Sequence, residues 1–421
     1  MQTVWWWWWW WYLILSLFSS PTTSAFVGIG VGGGVGVWIN GRGTSITTAT
    51  TTQAPNPSGG ATSSSEYQAL QAWKSAITED PNGILASWVG PNVCSYKGVF
   101  CSEPPEEDSS SSPSVVSGID LNHANLKGSL VKELSLLIHL SFLHLNSNRF
   151  SGAAVPDSFR ELQYLTELDL SSNQFSGPFP TSTLLIPNLL YLDLRFNSFS
   201  GELPDELFEK DLDAIFLNNN QFEGQIPMNL WASPASVITL ANNRFSGSIP
   251  ANFGYTGSGI KELLFLNNKL TGCIPQGVGF LNDIEVLDLS FNSLTGHVPS
   301  SLSCLSDIEV LNVAHNQLSG ALPDLVCDLK SLLNLSVSYN FFSGFSQDCD
   351  KLSFRNVGFD FSGNCVAGKD MQRPPPDCTG LPGVDLSCLR IPSTQAVACA
   401  AAVGQGGVVA GVSFTFSTSL P

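Results

Sequence analysis

At 421 residues, with 35 acidic against 18 basic side chains and a formal net charge of −17, the chain lacks the basic stripe that a nucleic-acid surface needs. Only 13% of its residues are charged, so the acidity means either a basic partner or solubility in a crowded extracellular medium. Ten cysteines, most of them towards the two ends of a repeat array, point to disulfides and an oxidising compartment.

Residues 1–25 fit a secretory signal peptide. The tryptophan run Trp5 to Trp11 leads into Tyr12-Leu-Ile-Leu-Ser-Leu-Phe18, and Thr23-Ser-Ala25 offers a small-residue cleavage site. No Lys or Arg precedes the run, and tryptophan prefers membrane interfaces, so a retained anchor is the competing reading. Residues 26–65 read as a disordered Gly/Ser/Thr-rich linker. The glycines from Gly28 to Gly36 are followed by no Gly-Lys-Ser/Thr and lie in no strand–helix context, which excludes a phosphate loop.

Residues 66–114 form an N-terminal cap. Leu70, Trp73 and Ile77 recur at helical spacing, and Asp80-Pro-Asn-Gly83 is a turn that ends the helix. Cys94 and Cys101, close in sequence, are expected to bond to each other. Glu103 to Pro113 is acidic and Ser-rich, a loop before the repeats.

From residue 115 to 364 one string returns. Its clearest copy is Leu165-x-x-Leu168-x-Leu170-x-x-Asn173-x-Phe175-x-Gly177, followed by Pro180. The asparagine recurs at Asn148, Asn173, Asn197, Asn220, Asn243, Asn268, Asn292, Asn316, Asn340 and Asn364, at intervals of 23 to 25 residues, and Ala124 fills its place in a first degenerate copy. Eleven copies with this period make a leucine-rich-repeat array. The expected fold class is an α/β solenoid: a right-handed superhelix of about eleven coils, with a concave parallel β-sheet and disulfide caps at both ends. The asparagine amide satisfies buried backbone where each coil turns, glycine meets unusual dihedrals, and Pro204, Pro227, Pro250, Pro275, Pro299 and Pro323 fix φ on the way to the convex side.

Residues 365–399 read as a C-terminal Cys-rich cap, with Cys327–Cys349 and Cys365–Cys378 as expected bonds. Cys273 and Cys304 lie one coil apart and could form a further pair. Residues 400–421 are a low-complexity tail, broken by glycines and without a basic stop signal, hence no membrane span; a lipid anchor stays open.

The cap and the Leu-x-Gly-x-Ile-Pro form of the repeats resemble the plant extracellular leucine-rich-repeat class. Within it, Phe265-Leu-Asn-Asn-Lys-Leu-Thr-Gly-Cys-Ile-Pro275, Leu287-Asp-Leu-Ser-Phe-Asn292 and the Cys-rich close to Cys378 are most similar to the leucine-rich-repeat extensins. The resemblance runs from Glu66 to Cys378. It implies secretion, a cell-wall location, capture of small basic rapid-alkalinization-factor peptides, and dimers. The extensins' hydroxyproline-rich tail is represented only by Pro374-Pro-Pro376, so a tail-less relative without a kinase domain is expected.

The outward strand positions tile the concave side. The candidate binding residues there are Asp120, Phe142, His144, Glu167, Asp169, Tyr191, Asp193, Arg195, Phe196, Phe216, Glu262, Asp288, Phe291, His315 and Tyr339. Six acids against one arginine focus a negative field on this wall, and the aromatics supply apolar anchors. His144 lies one coil from Asp120 and Asp169, which would allow a carboxylate–imidazole pair. But no nucleophile accompanies it, and His297 and His315 show no metal spacing. We expect no enzyme, no metal and no cofactor. Asn334-Leu-Ser336 fits the N-glycosylation rule.

The expected function is that of a secreted cell-wall binding protein capturing a small basic signalling peptide. Two alternatives stay open: an inhibitor of a wall-degrading hydrolase, as in the similar polygalacturonase-inhibiting proteins, or a structural wall protein without ligand. The expected partner is a basic secreted peptide or an extracellular protein, not nucleic acid. Homodimerisation and association with wall polysaccharide are left open.

Overall fold

Each coil after the first is built around a three-residue strand whose middle side chain points inward. In Glu167–Asp169 the middle residue Leu168 is fully buried, as is Leu170 just beyond the strand. The computed structural model describes residues 64–104, 114–152, 155–250 and 259–379. The signal-peptide segment, residues 26–63, residues 105–113, and the tail with Cys388 and Cys399 lie outside the described residues.

These strands stack in sequence order into a 12-stranded sheet. Its first member, Val99–Ser102 of the cap, pairs antiparallel with Val115–Asp120; the other pairings are parallel. We number the coils by their concave strands: coil 1 is Val115–Asp120, coil 4 Tyr191–Asp193, coil 10 Asn334–Ser336 and coil 11 Gly358–Asp360. Equivalent residues stand side by side, His144 beside Asp169 and Asp169 beside Asp193.

After the strand the chain turns through one left-handed residue, Ser172 at φ 53° in coil 3, and reaches the asparagine. Asn173 Nδ2 donates to the carbonyls of Leu170 (3.2 Å) in its own coil and Leu145 (2.8 Å) in the coil before, while its Oδ1 accepts from Phe150 N–H (2.9 Å). With Ser171 O (3.0 Å) as a further acceptor, the amide engages four backbone groups in two coils. Asn243 does the same with Leu240, Leu217 and Phe222.

A second sheet of 11 strands follows, which the repeat pattern does not announce. In coil 3 it is Gln174–Gly177. It ends at Gly177, whose φ of 100° admits glycine readily and other residues only under strain. Pro180 then leads into a 3-10 turn, Thr181–Leu185. Among the described residues, α-helix is confined to the ends of the solenoid; the convex side is crossed by 3-10 turns.

Beneath the second sheet runs a stack of phenylalanine rings. Phe150, Phe175, Phe199, Phe222 and Phe245 have successive centroids 6.5, 6.4, 6.1 and 6.5 Å apart. Trp73 of the cap helix Ser64–Ala76 closes the N-terminal end of the stack, 5.9 Å from Phe150. That helix ends earlier than the Asp80 turn expected to stop it. Ile77–Glu79 is drawn out as a strand pairing with Lys127–Gly128 of coil 1. Gly128 is what allows the approach, since a Cβ there would lie 2.6 Å from the Ala76 carbonyl. Asp80 instead accepts from Ile84 and Leu85 N–H at the start of the next 3-10 turn. Disulfides Cys94–Cys101, Cys327–Cys349 and Cys365–Cys378 tie the two ends, and Cys273 and Cys304 are disulfide-bonded as well. Among the described residues no helix is long and apolar enough to cross a membrane.

Candidate concave binding face

The concave face divides into two regions. Coils 1 to 5 bring together Asp120, Phe142, His144, Glu167, Asp169, Tyr191, Asp193, Arg195 and Phe216 through the register His144–Asp169–Asp193–Phe216. Asp169 is held by the residue two positions on: Ser171 N–H and Oγ both donate to its Oδ1, leaving Oδ2 free of that clamp. Asp120 Oδ1 accepts from Asn122 N–H in the same way.

His144 pairs not with an aspartate but with Glu167, Nε2 to Oε2 at 3.0 Å. Burial pulls its pKa down, but the Glu167 hydrogen bond and charge, with Asp169 and Asp120 near, outweigh it and raise the value. The imidazole is therefore engaged by a carboxylate.

Asp193 is the clearest departure from an exposed acidic wall. It is 0% exposed, roofed by Tyr191 and by Arg195, whose Nε lies 2.8 Å from its Oδ2. Arg195 N–H donates to Oδ1 and Tyr191 OH approaches Oδ2 at 3.3 Å. Burial, with Asp169 alongside, pushes its carboxyl up to about 7 against the pull of Arg195. The guanidinium in turn lies 4.8 Å over the Phe216 ring, and Tyr191 packs 5.3 Å from the same ring. The one arginine among the candidate residues is thus neutralised from within.

Phe100 belongs to this surface although the sequence does not mark it. It sits on the cap strand that extends the concave sheet, is half exposed, and has its ring 5.9 Å from Phe142. The Phe142 ring lies flat over Gly118, where a Cβ would come within 2.0 Å of it. The cap has no repeat pattern, so no periodic signal picks out Phe100; only the antiparallel pairing to coil 1 does.

The second region lies in coils 7 to 11. Glu262 and Asp288 are mostly buried; burial raises both, with Glu285 adding to the shift at Glu262, and Ser290 and Asn312 opposing it at Asp288. Phe291, His315 and Tyr339 occupy the left-handed position before the asparagine, at φ 53°, 54° and 53°. Their rings stack at 4.1 and 4.3 Å. Coils 5 to 7 carry Asn219, Asn242 and Asn267 there, a residue at ease with positive φ. His315 has both faces covered by its neighbours, while Phe291 and Tyr339 at the ends of the stack stay about half exposed. Phe196 holds the same position in coil 4 and stands half exposed. Among the described residues no cluster of His, Cys, Asp and Glu could hold a metal ion.

Residues 63–102 match the leucine rich repeat N-terminal domain, and residues 164–183, 188–209, 283–305 and 307–329 match the Leucine Rich Repeat family. The repeat region is 46% identical over 226 residues to Leucine-rich repeat extensin-like protein 2 of Arabidopsis thaliana, covering 54% of this chain and 28% of that protein. It is 47% identical over 228 residues to Leucine-rich repeat extensin-like protein 7 of the same plant, covering 54% of this chain and 51% of that one. The chain therefore spans about half, or less, of the length of these relatives. Among solved structures, the Arabidopsis receptor kinase HAESA, in complex with the peptide hormone IDA and the co-receptor SERK1, superposes with a TM-score of 0.57 at 26% identity, over 72% of this chain and 54% of that one. The plant peptide hormone receptor RGFR1, in complex with RGF2, gives 0.56 at 27% identity, over 59% and 40%.

Proposed function

We propose that this leucine-rich-repeat chain is a secreted, non-enzymatic cell-wall protein whose concave face captures a small basic peptide. The observation that carries the reading is the surface of coils 1 to 5. There Asp120, Glu167 and Asp169 are interleaved with Phe100, Phe142 and Phe216, Tyr191 lies buried among them, and the local arginine is neutralised by Asp193 whenever that carboxyl is ionised. Such a surface keeps a negative field for encounter and presents rings for retention. The extensin-like relatives support a wall location, and the peptide-bound receptors are precedents for peptide capture on this fold.

The test is capture from a wall extract by the secreted chain, followed by calorimetry with the captured partner. A basic peptide that competes with oligolysine supports the reading. A folded hydrolase that binds regardless of oligolysine would replace it with inhibition, and no saturable binding would leave a structural wall component.

A further inference from the structure

The ladder asparagines each hold several backbone groups, but Asn334 holds none. Its side chain makes no hydrogen bond among the described residues, although its backbone N–H donates to Glu309 O as the sheet requires. It opens the strand of coil 10 and stands exposed on the concave side. Its neighbours in register are Val310 and Gly358, neither of which offers a polar side chain. The amide leans over Gly358, where a Cβ would lie 3.0 Å from Asn334 Nδ2, so the glycine makes room for it without bonding it. Coils 8 and 9 fill the same strand position with Val286 and Val310. An exposed amide without partners, in a row of valines, has no structural task.

We propose that Asn334 carries an N-linked glycan that stands over the last coils of the concave sheet, leaving coils 1 to 5 as the open docking surface. The inference rests on the secreted reading above. In the reaction, Asn334 Nδ2 forms a bond to C1 of the first sugar of a lipid-diphosphate-linked oligosaccharide. The C1–oxygen bond to the diphosphate breaks, the lipid diphosphate leaves with the electron pair, and the amide gives up one proton. Ser336 supplies the hydroxyl that completes the acceptor tripeptide. The residue between them, Leu335, is fully buried in the folded coil, so transfer precedes closure of coil 10 and takes place on the extended chain.

From the strand of coil 4 to that of coil 10 is six strand spacings, about 29 Å at about 4.8 Å each. The core sugars therefore crowd Leu333, which is half exposed beside Asn334, and leave Asp169 uncovered.

The test is expression of the full chain in a eukaryotic secretory host, with peptide mapping by mass. The expected result is a glycan mass on the peptide holding Asn334, lost in Ser336→Ala and kept in Ser336→Thr, which preserves the acceptor. Secreted protein with Asn334 unmodified overturns the proposal while leaving the peptide-binding reading intact. Retention of the chain inside the cell overturns secretion, and the proposal with it. For the placement, oligolysine should associate at the same rate with wild type and Ser336→Ala; a several-fold faster rate for the unglycosylated variant overturns the claim that coils 1 to 5 stay open.

Discussion

Arg195 and Asp193 form a buried ion pair on what would otherwise be an open strand face, with Nε 2.8 Å from Oδ2 and the carboxylate wholly out of solvent. The pair makes the charge of the concave surface depend on pH. With the Asp193 carboxyl held up to about 7 by burial, acidification below neutrality protonates it and leaves Arg195 as an uncompensated cation facing the partner. His144, raised by Glu167, gains its proton in the same direction.

Affinity for a basic peptide should therefore rise severalfold from pH 6 to pH 8, and Asp193→Asn should flatten that rise. Stability should move oppositely. The folded pKa lies above the unfolded one, so the contribution of this group is full below about pH 4 and is lost as pH rises through about 7. The loss is at most a few kcal/mol, because a tenfold difference in proton affinity between the folded and unfolded chains corresponds to about 1.4 kcal/mol. Denaturant titrations across this range check the sign. A wild type that gains stability between pH 5 and 7 beyond what Asp193→Asn gains would contradict it.

Asn243→Ala removes the amide shared by Leu217, Leu240 and Phe222. It should cost about 1–3 kcal/mol for the buried groups left unpaired, measured by urea unfolding, while peptide affinity per folded molecule is unchanged. Loss of binding at full stability would mean that the ladder touches ligand.

How much of this is legible in the sequence is a matter of period. The asparagine ladder, the inward leucines and the coil count follow from one residue spacing, because every coil solves the same packing problem. Asp193 occupies the same strand position as Asp169 yet is buried, because Tyr191 and Arg195 of its own coil close over it, held in place by Phe216 of the next. The repeat pattern, which is shared by all coils, does not carry that. The helix end at Ala76 escapes the sequence because pairing of Ile77–Glu79 with coil 1 overrides the local turn signal. Asn334 stands out by motif and lies on the strand, six residues before the ladder position Asn340; its lack of hydrogen-bond partners is what the structure adds.

Phe100→Ala tests the contribution of the cap. The ring is half exposed and touches Phe142, so melting temperature should barely change. Peptide release should accelerate, at a cost of at least about 1 kcal/mol if the ring is an anchor. Unaltered release kinetics would return the cap to a purely structural role.

Trp73→Ala opens the N-terminal end of the ring stack, where the indole is fully buried against Phe150. A loss of about 3–5 kcal/mol is expected, seen as a lowered thermal midpoint with early exchange of amides in the cap and first coils. An unchanged midpoint would show that the cap is not part of the cooperative unit.

The central claim, a negative concave surface that recruits a basic peptide, is tested most directly by association kinetics at two ionic strengths. In Asp169 the Oδ2 lies outside the Ser171 clamp. Asp169→Lys should slow association of a basic peptide by about tenfold or more and flatten its salt dependence, because charge acts mainly on the encounter rate. An association rate that is independent of salt and survives Asp169→Lys would contradict the account and move the binding site off the concave face.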